Sequence, residues 1–210
     1  LVANAAHGLS RATRSLRAFL VAAVSGLVIA PLASAEPGSN VLLHECVGTH
    51  ESPHGLIYLH GIDPVAPSVD ELDIRAMLKR VATALGMDFA VVRSTSHCDA
   101  TTMHKGKLCW PRASTEQIKT SLSAVHKAAD GCFKSDAKRV LLGFSNGGFL
   151  LHQAVMHCIP GRDAVFLSIG GGGKLIPEAP LNAKECGRLD IMIGRQDKHQ
   201  RRETLELAKQ

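Results

Sequence analysis

Aromatic residues are scarce in this 210-residue chain: they make up 4% of it, with a single tryptophan and a single tyrosine. Proteins that bind nucleic acid pair clustered Lys and Arg with aromatic stacking platforms, so nucleic-acid partners are not expected. Net charge does not change this. Of the formal +5, three charges are Arg11, Arg14 and Arg17 in an N-terminal segment without acids, which leaves +2 on residues 36–210. The spacings C-x-x-C and H-E-x-x-H are absent, so the neighbouring His97, Cys98, Asp99 and His104 read as a solvated loop and no metal is expected. The run Gly170-Gly171-Gly172-Gly173-Lys174 is no phosphate loop, because Ser168 and Leu175 stand where glycine and Ser or Thr are required. Internal repeats and linkers are also missing. With 45% hydrophobic and 20% charged residues, the composition is that of one globular domain.

Long apolar runs are lacking after residue 35. Before it, the three arginines precede an uncharged apolar stretch over residues 18–32, closed by Ala33-Ser34-Ala35 ahead of Glu36-Pro37. That is the pattern of a secretory signal peptide. A retained anchor is the alternative, but the stretch is short for a bilayer span and the small residues at 33 and 35 favour cleavage. No Arg-Arg pair precedes the stretch and no cysteine follows it to take a lipid. The expectation is a signal peptide over 1–35 and a secreted or periplasmic domain over 36–210, without membrane contact after cleavage. All six cysteines lie in that domain, and an even count in an oxidising compartment implies disulfides. Cys98 and Cys109 bracket one loop and are the easiest pair to close; Cys132 with Cys158 and Cys46 with Cys186 are the next expectations.

From His54 onward, strand-like runs alternate with helical patterns, which predicts an α/β fold: a mostly parallel sheet with helices on both faces. Strands are expected over 55–60, 89–92, 139–142, 164–169 and 189–193. A helix over 68–85 would turn Leu72, Met77, Leu78, Val81 and Leu85 inward, with Ser68 or Asp70 capping its start and Gly86 its end. A second helix opens at Ser114-Thr115-Glu116-Gln117 in capping-box fashion, with Ile118, Leu122 and Val125 inward. Helices over 147–157 and roughly 199–209 complete the pattern. The loop over 94–112 is long enough to be functional.

Gly143-Phe144-Ser145-Asn146-Gly147 is a G-x-S-x-G pentapeptide between the strand at 139–142 and a helix-compatible run. A serine hydroxyl is unreactive at neutral pH and needs a sharp turn that exposes it to a base. Small residues at 143, 147 and 148 let strand and helix pack around such a turn. Leu59-His60-Gly61-Ile62 ends the first of these strands and has the form of an oxyanion loop, with the backbone N–H groups of Ile62 and Asn146 as donors. His60 reads as a loop-shaping residue and not as the base. Asp197 follows the last strand in Gly194-Arg195-Gln196-Asp197, where an acid can orient a histidine. Trp110 reads equally as a pocket wall and as a packing anchor.

Over residues 54–210 the chain resembles the α/β-hydrolase family, in particular small exported esterases and depolymerase-like hydrolases, through Leu59-His60-Gly61, Gly143-Phe144-Ser145-Asn146-Gly147-Gly148 and Gly194-Arg195-Gln196-Asp197. The resemblance implies the triad order Ser, Asp, His and hydrolysis of an ester or related acyl bond, in a small-molecule or polymeric substrate, through an acyl-enzyme. It implies no cofactor. The family pattern continues with a further strand and a loop carrying the histidine. Neither is in these 210 residues, which begin with Leu1, so the expectation is that the sequence is incomplete. Two alternatives stand beside it. His199 serves as the base, although two helical residues from Asp197 it points nearly the opposite way; or the domain kept the fold as a secreted binding or structural module without the chemistry.

Overall fold

Strand-forming runs that are apolar on both sides need cover on both faces, and the two longest buried runs lie in the middle of the sheet. The structure is a computed structural model that describes residues 40–98, 104–159, 165–171 and 188–192. Six strands form one sheet: β1 (Val41–Val47), β2 (His54–Leu59), β3 (Asp88–Ser94), β4 (Lys138–Phe144), β5 (Val165–Ile169) and β6 (Arg188–Met192). Their order is β1-β3-β2-β4-β5-β6. β1 runs antiparallel to β3 and every other pairing is parallel. The mostly parallel α/β sheet is as expected.

Among the described residues, three α-helices connect the strands: α1 (Val69–Ala84), α2 (Thr115–Ala129) and α3 (Asn146–Met156). The chain leaves β2 for β3 on one side, then returns across β2 to β4 on the other. Right-handed crossovers in opposite directions put their helices on opposite faces. Accordingly, Leu78 and Ala82 of α1 pack on Leu56, Tyr58, Phe89, Val91 and Leu142. Ile118, Leu122 and Val125 of α2 and Leu150 and Leu151 of α3 pack on Ile57, Leu59, Ala90, Val92 and Leu141. β2 and β4 thus flank the point where strand order reverses, and the crevice beyond their carboxyl ends is where such sheets bind ligands.

Four expectations need correction. β1 was not anticipated: its hydrophobic pattern is interrupted by His44 and Glu45, and its register against β3 shifts at that point. α1 does not turn its predicted face inward. Leu78 is buried, but Leu72, Met77, Val81 and Leu85 are exposed, and the inward line is Glu71, Leu78 and Ala82. Cys132 is bonded to Cys46, not Cys158, with Cα atoms 5.7 Å apart. Cys46 is therefore not paired with Cys186. The physical reason is the unanticipated β1, which carries Cys46 to the turn that ends α2. Cys98–Cys109 is formed as expected, with Cα atoms 4.9 Å apart. Cys158 is disulfide-bonded as well, and Cys186 lies outside the described residues. The sulfur of Cys98 is thereby unavailable to a metal.

Helix starts follow the sequence closely. Ser68 Oγ accepts the N–H of Glu71, and Ser114 Oγ accepts that of Gln117. Gly86, in the left-handed region at φ 65°, follows α1.

Candidate active site

β4 ends at Phe144 and α3 begins at Asn146, so one residue makes the whole turn between strand and helix. That residue is Ser145, with φ 47° and ψ −108°. A positive φ at a residue with a side chain costs roughly 1–3 kcal/mol and persists only where the surroundings impose it. Here Ser145 N–H donates to Ile169 O at 2.8 Å, and Ser145 O accepts from Phe149 N–H at 3.0 Å. The crossing is tight enough to require glycine. A Cβ on Gly147 would lie 2.7 Å from the carbonyl oxygens of Leu59 and His60, and one on Gly143 would lie 2.5 Å from Gly148 N. Ser145 is half-buried.

The end of β2 is bound directly to this turn. Gly147 N–H donates to His60 O at 3.1 Å, which brings the His60–Ile62 loop against the start of α3. His60 is buried, and both ring nitrogens are used. Nε2 accepts from Ser94 N–H at 2.9 Å, and Nδ1–H donates to Gly61 O. Burial in an apolar setting brings its pKa down to about 4, so the ring is neutral near pH 7. It shapes the loop, as read from the sequence, and has no lone pair to offer Ser145. It also aims the loop. The peptide bonds here are all trans, so in the planar Gly61–Ile62 unit the N–H points opposite to the C=O. With Gly61 O turned toward His60, Ile62 N–H faces away from the ring.

The preceding peptide is held at its other end by Glu71 of α1. Its Oε1 accepts from Gly61 N–H at 3.0 Å and from Tyr58 O–H at 3.3 Å. Glu71 is buried, and desolvation raises its pKa above the usual carboxylate range. Desolvation, with the nearby Glu71, also raises that of Tyr58. Glu71 was missed in the sequence, and the one local signal points to a different role. Ser68-Val69-Asp70-Glu71 has the S-x-x-E form of a capping box, but the glutamate turns from the cap to the His60–Ile62 loop.

Asn146 heads α3, where a backbone N–H has no intrahelical acceptor and the helix dipole is positive. Its side chain is buried, and Oδ1 accepts from Trp110 N–H at 2.7 Å. Trp110 is 2% exposed, so it is an anchor and not a pocket wall. The loop that carries it is a stapled hairpin. Cys98 N–H donates to Lys107 O, Cys109 N–H to Ser96 O, and Asp63 N–H to Leu108 O at 2.9 Å. Arg112 lies over the Phe149 ring at 5.0 Å.

The structure therefore brings together Ser145, Asn146 and the loop of Ile62 at the carboxyl ends of β4 and β2. Asp197 and His199 lie outside the described residues. Gly171 packs against the turn, since a Cβ there would lie 2.6 Å from Ser145 O. Among the described residues, no group of three or more His, Cys, Asp or Glu is placed to hold a metal ion, and no helix is long and apolar enough to cross a membrane.

No protein-family model matches the sequence, and no curated protein is significantly similar to it. Solved structures with a related chain path include mouse alpha/beta hydrolase domain-containing protein 10, at 16% identity and TM-score 0.38, covering 69% of this chain and 51% of that one. The chain thus spans about half the length of the mouse protein. A carboxylesterase from Mesorhizobium loti has 17% identity and TM-score 0.43, covering 86% and 99%. A thermophilic esterase from Thermogutta terrifontis has 13% identity and TM-score 0.38, covering 80% and 85%. Similarity at this level assigns neither a family nor an activity.

Proposed function

We propose that the chain is an exported serine hydrolase of the α/β-hydrolase kind that cleaves an ester or related acyl bond through an acyl-enzyme at Ser145. The observation that carries the reading is the positive-φ turn at Ser145 joined to the His60–Ile62 loop by the Gly147 N–H to His60 O hydrogen bond. In this mechanism Ser145 Oγ bonds to the acyl carbon while its proton passes to a histidine base. The carbonyl electron pair moves onto oxygen, where Ile62 and Asn146 N–H groups receive the charge. Collapse of that intermediate expels the alcohol, which takes the proton from the base, and water then releases the acid by the same steps in reverse. Asp197 orients the base. His60 is not that base, because its ring nitrogens are both engaged. The substrate is a small or polymeric acyl compound. Export rests on the signal-like residues 1–35 and accords with the disulfides.

Incubating the protein, expressed from its full open reading frame, with a fluorophosphonate and mapping the adduct by mass spectrometry tests this reading. An adduct on Ser145, lost in Ser145→Ala, is expected. No adduct on the folded wild-type protein would sink the enzyme reading and favour a non-catalytic binding or structural domain.

A further inference from the structure

Trp110 makes three contacts that converge on the two segments carrying the proposed oxyanion donors. Its indole Nε1–H donates to His60 O at 2.9 Å, and its backbone N–H donates to Asn146 Oδ1 at 2.7 Å. Its ring packs on the His60 imidazole with centroids 4.9 Å apart. His60 O thus accepts from both Trp110 and Gly147. The peptide unit that holds this carbonyl also holds Gly61 N–H, which is bound to Glu71. A planar unit gripped at both ends cannot rotate, and the next unit carries Ile62 N–H.

We infer that Trp110 is a positioning residue for the oxyanion hole, a clamp that holds the Ile62 loop and the head of α3 in one register. The inference rests on the reading of Ile62 and Asn146 as donors. Trp110 touches neither substrate nor the reacting atoms; it acts through the two loops. Gly147 alone would leave the His60 carbonyl one anchor. Trp110 and His60 are both buried, so the indole N–H is not in competition with bulk water for the carbonyl. The donors matter only where negative charge develops, so loosening them raises the barrier without weakening ground-state binding.

Trp110 is the one tryptophan in these 210 residues, so growth of a tryptophan auxotroph on β-(3-benzothienyl)alanine replaces it and no other residue among them. The analogue keeps the ring's shape and loses its N–H. It is compared with wild type and with Trp110→Phe in two measurements. The first is amide hydrogen exchange, which does not depend on activity. Peptides covering 60–63 and 145–148 are expected to exchange about tenfold faster or more, while those covering β2 and β4 stay protected. The second is p-nitrophenyl acetate hydrolysis, where kcat is expected to fall about 10- to 100-fold with KM within about twofold of wild type.

Unchanged exchange in the analogue-containing protein overturns the clamp whatever the kinetics show. Faster exchange with kcat intact, or with the loss confined to KM, overturns its role in the oxyanion hole. Failure of the wild-type protein to take a fluorophosphonate adduct is a different result. It removes the hydrolase reading, and exchange alone then decides whether Trp110 joins the two loops. Should Trp110→Phe fail to fold, the isosteric analogue still gives both measurements.

Discussion

Glu71 keeps a buried carboxylate whose Oε1 accepts from Gly61 N–H and Tyr58 O–H. Replacing it by alanine strands both donors away from water and is expected to cost about 1–3 kcal/mol of stability, with a loss of kcat as the Gly61 loop loosens. Glu71→Gln keeps an acceptor at the same position and is expected to recover most of both. The pH dependence separates charge from hydrogen bonding. Desolvation raises the folded pKa above the ordinary value of 4.5, so the folded state binds more protons than the unfolded one between the two values. The stability held by this group is fully present below 4.5 and is lost as pH rises through the folded pKa. Urea denaturation of wild type and Glu71→Gln across this range should show wild type losing ground with rising pH; a gap moving the other way would mean that the ionised form is favoured. The turn needed only a five-residue motif to be legible, because the strain falls on Ser145 and the clash that requires Gly143 is with Gly147 and Gly148 of the same segment. Glu71 was not legible, because its partners Gly61 and Tyr58 lie ten and thirteen residues away across a loop whose path no local pattern dictates.

The stapled hairpin around Cys98–Cys109 carries the element-scale argument. It delivers Leu108 O to Asp63 and Trp110 to both His60 and Asn146, while the Cys46–Cys132 bond joins β1 to the turn after α2, remote from the elbow. Removing either bond releases loop entropy to the unfolded chain, on the order of 3 kcal/mol for a short loop and somewhat more for a long one. The two should nevertheless differ in kind. Cys98→Ala/Cys109→Ala is expected to lower both Tm and kcat, whereas Cys46→Ala/Cys132→Ala is expected to lower Tm with kcat retained. Equal kinetic effects from the two pairs would show that the hairpin has no particular hold on the site. The Cys98–Cys109 pair was legible because its loop is short. Cys46 was not, since its pairing depends on β1, a strand whose apolar pattern breaks at His44 and Glu45. α1 shows the same limit from another side. Its length and Ser68 cap follow from the sequence, but Leu72, Met77, Val81 and Leu85 stay exposed because the sheet takes the face of Glu71, Leu78 and Ala82.

At the scale of the whole molecule, reversal of strand order between β2 and β4 places the Ser145 turn and the His60–Ile62 loop side by side, and α3 is packed deep enough to bury a histidine. His152 is 1% exposed, and neither ring nitrogen has a hydrogen-bond partner among the described residues. Desolvation alone brings its pKa from 6.5 down to about 4. Between these values the unfolded chain binds a proton that the folded chain excludes. The stability linked to this group is therefore complete above pH 6.5 and falls as pH drops toward 4, by on the order of 3 kcal/mol in all. His60, buried neutral with a pKa of about 4, adds a similar fall over the same range. His152→Leu removes one of the two. It also removes two buried polar atoms that have no partner among the described residues, and burying such atoms unpaired is unfavourable at every pH. The variant is expected to be more stable than wild type at pH 7. Its advantage should grow as pH falls from 6.5 to 4, with proton uptake on unfolding near pH 5 lower by about one. Denaturant titrations at pH 7, 6, 5 and 4.5 check this: a gap that stays constant would mean that His152 takes up its proton in the folded state and is not sealed beneath the elbow helix.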